Sequence, residues 1–154
     1  MAVLFFDSSG LMKRYVAEAG TSWVINQLRP SVANDIFIAN ITGIEIVSAL
    51  MLQVKGNKLS QTDANKALKR FKRDFDKRFI VIDLSPQIIK EGILLAQKYV
   101  LRGYDTAQLA VAVNTKNRLA GGGVSKFTFI SADNALNSAA QAEGLLIDNP
   151  NNYP

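Results

Sequence analysis

"VLFFDSSGL" (residues 3–11) sets four apolar residues directly before a carboxylate, two hydroxyls and a glycine. A strand that is apolar at every position, rather than at every second one, suits a parallel sheet covered by helices on both faces. Asp7, which ends the run, then has two roles open to it. It can cap the helix that follows, or it can be delivered to a ligand site, because such sheets bind ligands at the carboxyl ends of their strands.

Four further runs share this character: "IFIA" (36–39), "FIVI" (79–82), "FTFI" (127–130) and "LLI" (145–147). The stretches between them carry helical spacing. Ile44, Val47, Met51 and Val54 form one apolar face, Leu68, Phe71 and Phe75 a second, and Ile89, Ile93, Ala96 and Val100 a third. Gly56 is placed to end the first of these helices, Ser85 with Pro86 to open the third, and Gly103 to end it. Strand and helix in alternation predict a three-layer α/β/α sandwich on a mostly parallel sheet of about five strands. "AGGGVSK" (120–126) lacks the spacing of a phosphate-binding loop and reads as a connection, and the prolines of "DNPNNYP" (148–154) stop regular structure there.

A chain of 154 residues, 48% hydrophobic, is expected to form one domain, residues 1–154. No basic start leads into a long apolar stretch and no window has the length of a membrane span, so the expected setting is soluble and cytoplasmic, with no membrane partner. Cysteine and histidine are both absent. That excludes disulfides, thiolate nucleophiles, zinc sites built on Cys or His, and the commonest neutral-pH general base. Chemistry is left to carboxylates, hydroxyls, amines or a hard metal ion. The net charge of +5 is compatible with a polyanionic partner.

Four acids fall where the predicted topology can gather them. Asp7 follows the first strand, Glu45 stands early in the helix after the second, Asp105 opens the helix that leads to the fourth, and Asp133 follows the fourth. Each has a local explanation, since Asp caps helices, acids favour first turns, and "TGIE" (42–45) matches a capping box. Together they would repel one another and raise one another's pKa unless a cation joined them. A donor set made of carboxylates points to Mg²⁺ or Mn²⁺, ions that serve phosphoryl chemistry. Ser9 and Ser131 are spaced to hold a carboxylate, or to make local caps.

"FFDSSGLMKRYVAEAGTSWV", "ITGIEIVSAL", "LRGYDTAQLAVA" and "FISADNALNSAAQAEGLLIDNP" resemble, in order, the motifs of PIN-domain ribonucleases, in particular the VapC-like toxins of prokaryotic toxin–antitoxin systems. The resemblance runs from about residue 3 to residue 150. It implies a PIN-like fold, an acidic quartet of Asp7, Glu45, Asp105 and Asp133 that holds Mg²⁺ or Mn²⁺, and metal-dependent cleavage of RNA. It further implies a small cognate antitoxin that blocks the acid pocket, and a homodimer.

Basic residues supply candidate RNA contacts. Lys13, Arg14 and Arg102 are near the acids in sequence and can hold phosphate or balance the carboxylates, with Arg102 equally a structural partner of Asp105. "KALKRFKRDFDKR" (66–78) is either the solvated side of an amphipathic helix or a guide for an RNA backbone. Leu11, Met12, Tyr15, Val16, Met51 and Leu52 are candidates for a partner face or for the core.

Other functions remain open at this level. A housekeeping PIN nuclease acting on RNA or DNA would use the same chemistry. A phosphoryl-receiver signalling domain also gathers acids at strand ends, but wants an adjacent acidic pair after its first strand, where this chain has Asp7 alone. Ser9 stands where a D-x-D phosphatase needs its second acid. A non-catalytic binding module fits if the acids are only caps.

Overall fold

The computed structural model describes residues 1–154. Five strands, β1 (Val3–Phe6), β2 (Asp35–Ala39), β3 (Ile80–Ile82), β4 (Phe127–Ile130) and β5 (Leu146–Asp148), form one sheet in the order β3-β2-β1-β4-β5. Every neighbouring pair is parallel. Seven helices connect and cover the strands: α1 (Ser8–Met12), α2 (Thr21–Gln27), α3 (Thr42–Lys55), α4 (Gln61–Lys77), α5 (Pro86–Lys98), α6 (Gly103–Gly121) and α7 (Asn134–Ala142). The α/β arrangement and its parallel five-stranded sheet match the expectation.

Side-chain alternation along the strands explains their continuous hydrophobicity. Leu4 and Phe6 of β1, Ile36 and Ile38 of β2 and Ile130 of β4 enter one core with α1 to α4. Phe5, Phe37, Ala39, Phe127 and Phe129 enter the other, with α5 to α7. Both faces of the central strands are dry, so both parities must be apolar. Burial on this scale is the main stabilising contribution, at about 1.5–3 kcal/mol for each large side chain.

Two helical faces differ from their predicted positions. In α3 the buried residues are Thr42, Ile46 and Leu50, whereas Ile44 is 72% exposed. In α5, Ile88 and Leu95 point inward, with Gly92 between them against the Ala110 side chain of α6, while Ile89, Ile93 and Val100 are exposed. Both helices carry aliphatic residues on more than one face, so periodicity alone could not choose the inner one. Gly103 does not end α5, which stops at Lys98; it opens α6. The capping box at 42–45 does not form either. The N-cap of α3 is Ile41 in helical geometry, and the Thr42 hydroxyl is used elsewhere.

Leu11, Met12 and Tyr15 are buried in the first core and so are not a partner face, while Leu52 is 66% exposed. The 66–78 stretch lies almost wholly in α4, with Ala67 and Phe71 inward and its lysines outward. No helix is long and apolar enough to cross a membrane.

Candidate active site

The sheet order reverses beside β1, whose neighbours are β2 on one side and β4 on the other. Crevices form where crossovers diverge in this way. A cavity of about 770 Å³ lies there, lined by residues that follow four strands: Asp7 after β1, Ile41 after β2, Leu84 after β3 and Asp133 after β4. Glu45 from α3 and Asp105 from α6 complete its acids, so all four predicted carboxylates face one space.

Asp7 is the most deeply set, at 2% exposure. It caps α1 by accepting from the Gly10 amide at 2.8 Å, and so has the local role that its position suggested. It is also gripped from both sides. The Ser9 hydroxyl lies 2.9 Å from each of its oxygens, and Ser131 donates to Oδ2 at 3.0 Å. Burial nevertheless pushes its pKa up to about 7, against the opposing pull of these hydrogen bonds, and the Glu45 charge adds to the rise. Gly10 makes the close approach possible. A Cβ there would stand 2.8 Å from the Ile130 carbonyl oxygen of β4.

Ser9 and Ser131 tie the ends of β1 and β4 together. Ser9 Oγ accepts from the Ala132 amide at 3.0 Å, and Ser131 Oγ accepts from the Asp133 amide at 3.1 Å. Asp133 in turn caps α7 through the Leu136 amide at 2.9 Å. Capping and site geometry are thus one arrangement, with each cap fixing a carboxylate at the rim.

Glu45 is held by two residues that sequence reasoning did not select. Ser8 donates to Oε2 at 2.7 Å and Gln108 Nε2 donates to Oε1 at 2.8 Å. Gln108 is fully buried, donates also to the Thr42 hydroxyl at 2.8 Å, and leaves its own Oε1 without a partner. Its position three residues after Asp105 puts both on one side of α6. That spacing in "YDTAQ" was the available signal.

Arg102, the residue before α6, spans two of the acids. Its Nε is 3.2 Å from Asp105 Oδ2 and its Nη2 is 3.9 Å from Asp133 Oδ2. Burial raises the pKa of Asp105, and the guanidinium opposes that rise. The two other basic residues expected near the acids are not there. Lys13 is buried and donates to the Ala19 carbonyl, and Arg14 binds Asp74 at 2.6 Å beneath α4; neither lines the cavity. Their sequence proximity misled because α1 is only five residues long and turns them away from the strand end.

The chemistry of this donor set suits a hard divalent ion, with four carboxylates, no nitrogen or sulfur ligand, and a buried acid that lacks a counter-charge. As the side chains stand, no three of the acids converge closely enough to ligate one ion. Glu45 is drawn toward Ser8 and Gln108, and Arg102 stands between Asp105 and Asp133.

No protein-family model matches the sequence, and no curated protein does. Solved structures do share the architecture. PAE2754 from Pyrobaculum aerophilum is 16% identical with a TM-score of 0.64, over 95% of this chain and 83% of that one. FitAcB from Neisseria gonorrhoeae is 13% identical with a TM-score of 0.67, over 96% of this chain and 98% of that one. VapBC2 from Rickettsia felis, bound to a DNA fragment from their promoter, is 12% identical with a TM-score of 0.64, also over 96% and 98%. At these identities the likeness is one of fold.

Proposed function

We propose that the protein is a metal-dependent endoribonuclease, the toxin of a toxin–antitoxin pair, acting through Asp7, Glu45, Asp105 and Asp133. The observation that carries this is the meeting of four acids, from four separate parts of the chain, in one cavity at the carboxyl edge of a parallel sheet. Caps alone have no need to share a cavity. The motif resemblance supports RNA as substrate, and the likeness in fold to FitAcB and VapBC2 supports an antitoxin partner. A homodimer belongs to the same reading.

Mg²⁺ or Mn²⁺ held by these acids would supply the positive charge that offsets them and polarises a phosphodiester. The chain's own groups do the rest. Ser9 and Ser131 fix both oxygens of Asp7, so that acid is oriented before substrate arrives, while Ser8 and Gln108 hold Glu45 at the cavity wall, from which it would turn to reach an ion. The same cavity is lined by Ile41, Ile44, Leu52, Leu84 and Tyr104. Apolar and aromatic surface beside a phosphate site suits the unstacked bases of single-stranded RNA. Hydrolysis would leave a 3′-hydroxyl and a 5′-phosphate.

The test is induced expression of the chain in a bacterial host, alone and with any small open reading frame found beside its gene. Growth arrest with RNA fragmentation, relieved by the neighbour, is expected. Fragmentation without arrest or rescue would instead favour a housekeeping nuclease, and neither effect would remove the nuclease assignment.

A further inference from the structure

Arg102 is the one basic residue in the cavity wall. Its guanidinium contacts carboxylates from two separate elements, Asp105 in the first turn of α6 and Asp133 at the cap of α7, at 3.2 and 3.9 Å. Its side chain is nonetheless 67% exposed, and its Cζ lies 5.1 Å from the centroid of the Tyr104 ring at the cavity edge. A planar fork can satisfy two carboxylates at once, and the aromatic face already beneath it can go on holding the cation if those carboxylates are taken away. No side-chain hydrogen bond from Arg102 caps α6, so the arginine is not needed to begin that helix.

We propose that Arg102 is a built-in counter-cation that a divalent ion must displace in order to fill the acid cavity. The guanidinium offsets part of the charge of Asp105 and Asp133 while no metal is bound, and so weakens their repulsion. The same position denies both acids to an incoming ion. On displacement the guanidinium gives up the two carboxylates and keeps its place over the Tyr104 ring, at the mouth through which an RNA phosphate enters. The ion threshold of the site is thereby set by a residue of the chain itself. This inference rests on the metal-site reading above.

The test is Mn²⁺ affinity, measured by electron paramagnetic resonance on the purified wild type and on the Arg102→Gln and Arg102→Lys variants. Melting curves establish that both variants fold, as expected for an exposed side chain. Arg102→Gln is expected to bind Mn²⁺ at least about fivefold more tightly, the effect of removing a partly exposed ion pair that competes with the ion. Arg102→Lys is expected to fall between the two, because one ammonium cannot span both carboxylates. In wild type, Mg²⁺ should also shift the Arg102 Nε–H resonance, identified by its loss in Arg102→Lys. Unchanged or weaker Mn²⁺ binding in Arg102→Gln, with wild type still binding, overturns the counter-cation role and leaves the metal site standing. Affinity in Arg102→Lys equal to wild type overturns the bridging. No binding in any of the three proteins overturns both the inference and the metal-site reading.

Discussion

Ser131 Oγ donates to Asp7 Oδ2 across 3.0 Å, joining the ends of two adjacent strands that are 124 positions apart in the chain. The contact places a buried acid at the point where the sheet order reverses, and Ser9 closes on the same carboxylate from the other side. Despite this support, Asp7 is costly to ionise. A residue that lowers stability in its charged form is what a ligand site, rather than a cap alone, is expected to contain.

Stability should therefore depend on pH through Asp7. Its pKa rises from 3.8 to about 7 on folding, so between roughly pH 4 and 7 the native state holds a proton that the unfolded state has lost. Stability from this group is full below that window, falls as pH rises through it, and is level above it, by about 4 kcal/mol at most. Denaturant melts of the metal-free protein from pH 4 to 8 check the slope. Added Mg²⁺ should recover more stability at pH 8 than at pH 5.

Asp7→Asn removes the charge and retains an acceptor for the Gly10 amide. In metal-free protein at pH 8 the variant should be more stable than wild type by about 1–3 kcal/mol, with little difference at pH 4. Thermal melts at the two pH values measure this directly.

Gln108→Leu removes the donor to the buried Thr42 hydroxyl and to Glu45 at the cavity wall. The expected loss is about 1–3 kcal/mol of stability, together with a 10- to 100-fold fall in RNA cleavage by the folded fraction. Cleavage unchanged in folded protein would show that Glu45 does not need this support.

Arg14 separates structural from functional basic residues. Its partner Asp74 is 4% exposed, so Arg14→Met leaves a buried carboxylate with the Tyr15 hydroxyl at 3.1 Å and, as its remaining cation, the exposed Arg73 at 3.5 Å. Destabilisation of about 3 kcal/mol is expected, with no change in the salt dependence of RNA binding. A reduced salt slope would return Arg14 to the RNA contacts.

The positions of the acids were legible in the sequence because each closes a strand or opens a helix, and strand–helix alternation fixes which edge those positions share. The strands were legible for the same reason, since continuous apolar runs such as 36–39 have few other uses. What could not be read was which side of a helix points inward. In α3 the stripe Ile44, Ser48, Leu52 lines the cavity and Ile46 with Leu50 enters the core, and both are apolar enough to pass for the buried face. Gln108 and Ser8 escaped notice because their importance lies in bonds to Glu45 from 63 and 37 positions away. Lys13 and Arg14 shared the sequence neighbourhood of Asp7 without sharing its direction.

Whether the four acids form one metal-dependent hydrolytic site is decided by cleavage of end-labelled single-stranded RNA with the purified protein. Cleavage is expected in Mg²⁺ or Mn²⁺, leaving a 3′-hydroxyl and a 5′-phosphate, stopping with a chelator, and falling to background in folded Asp7→Asn. Cleavage that persists in the chelator, or that Asp7→Asn retains, would contradict such a site.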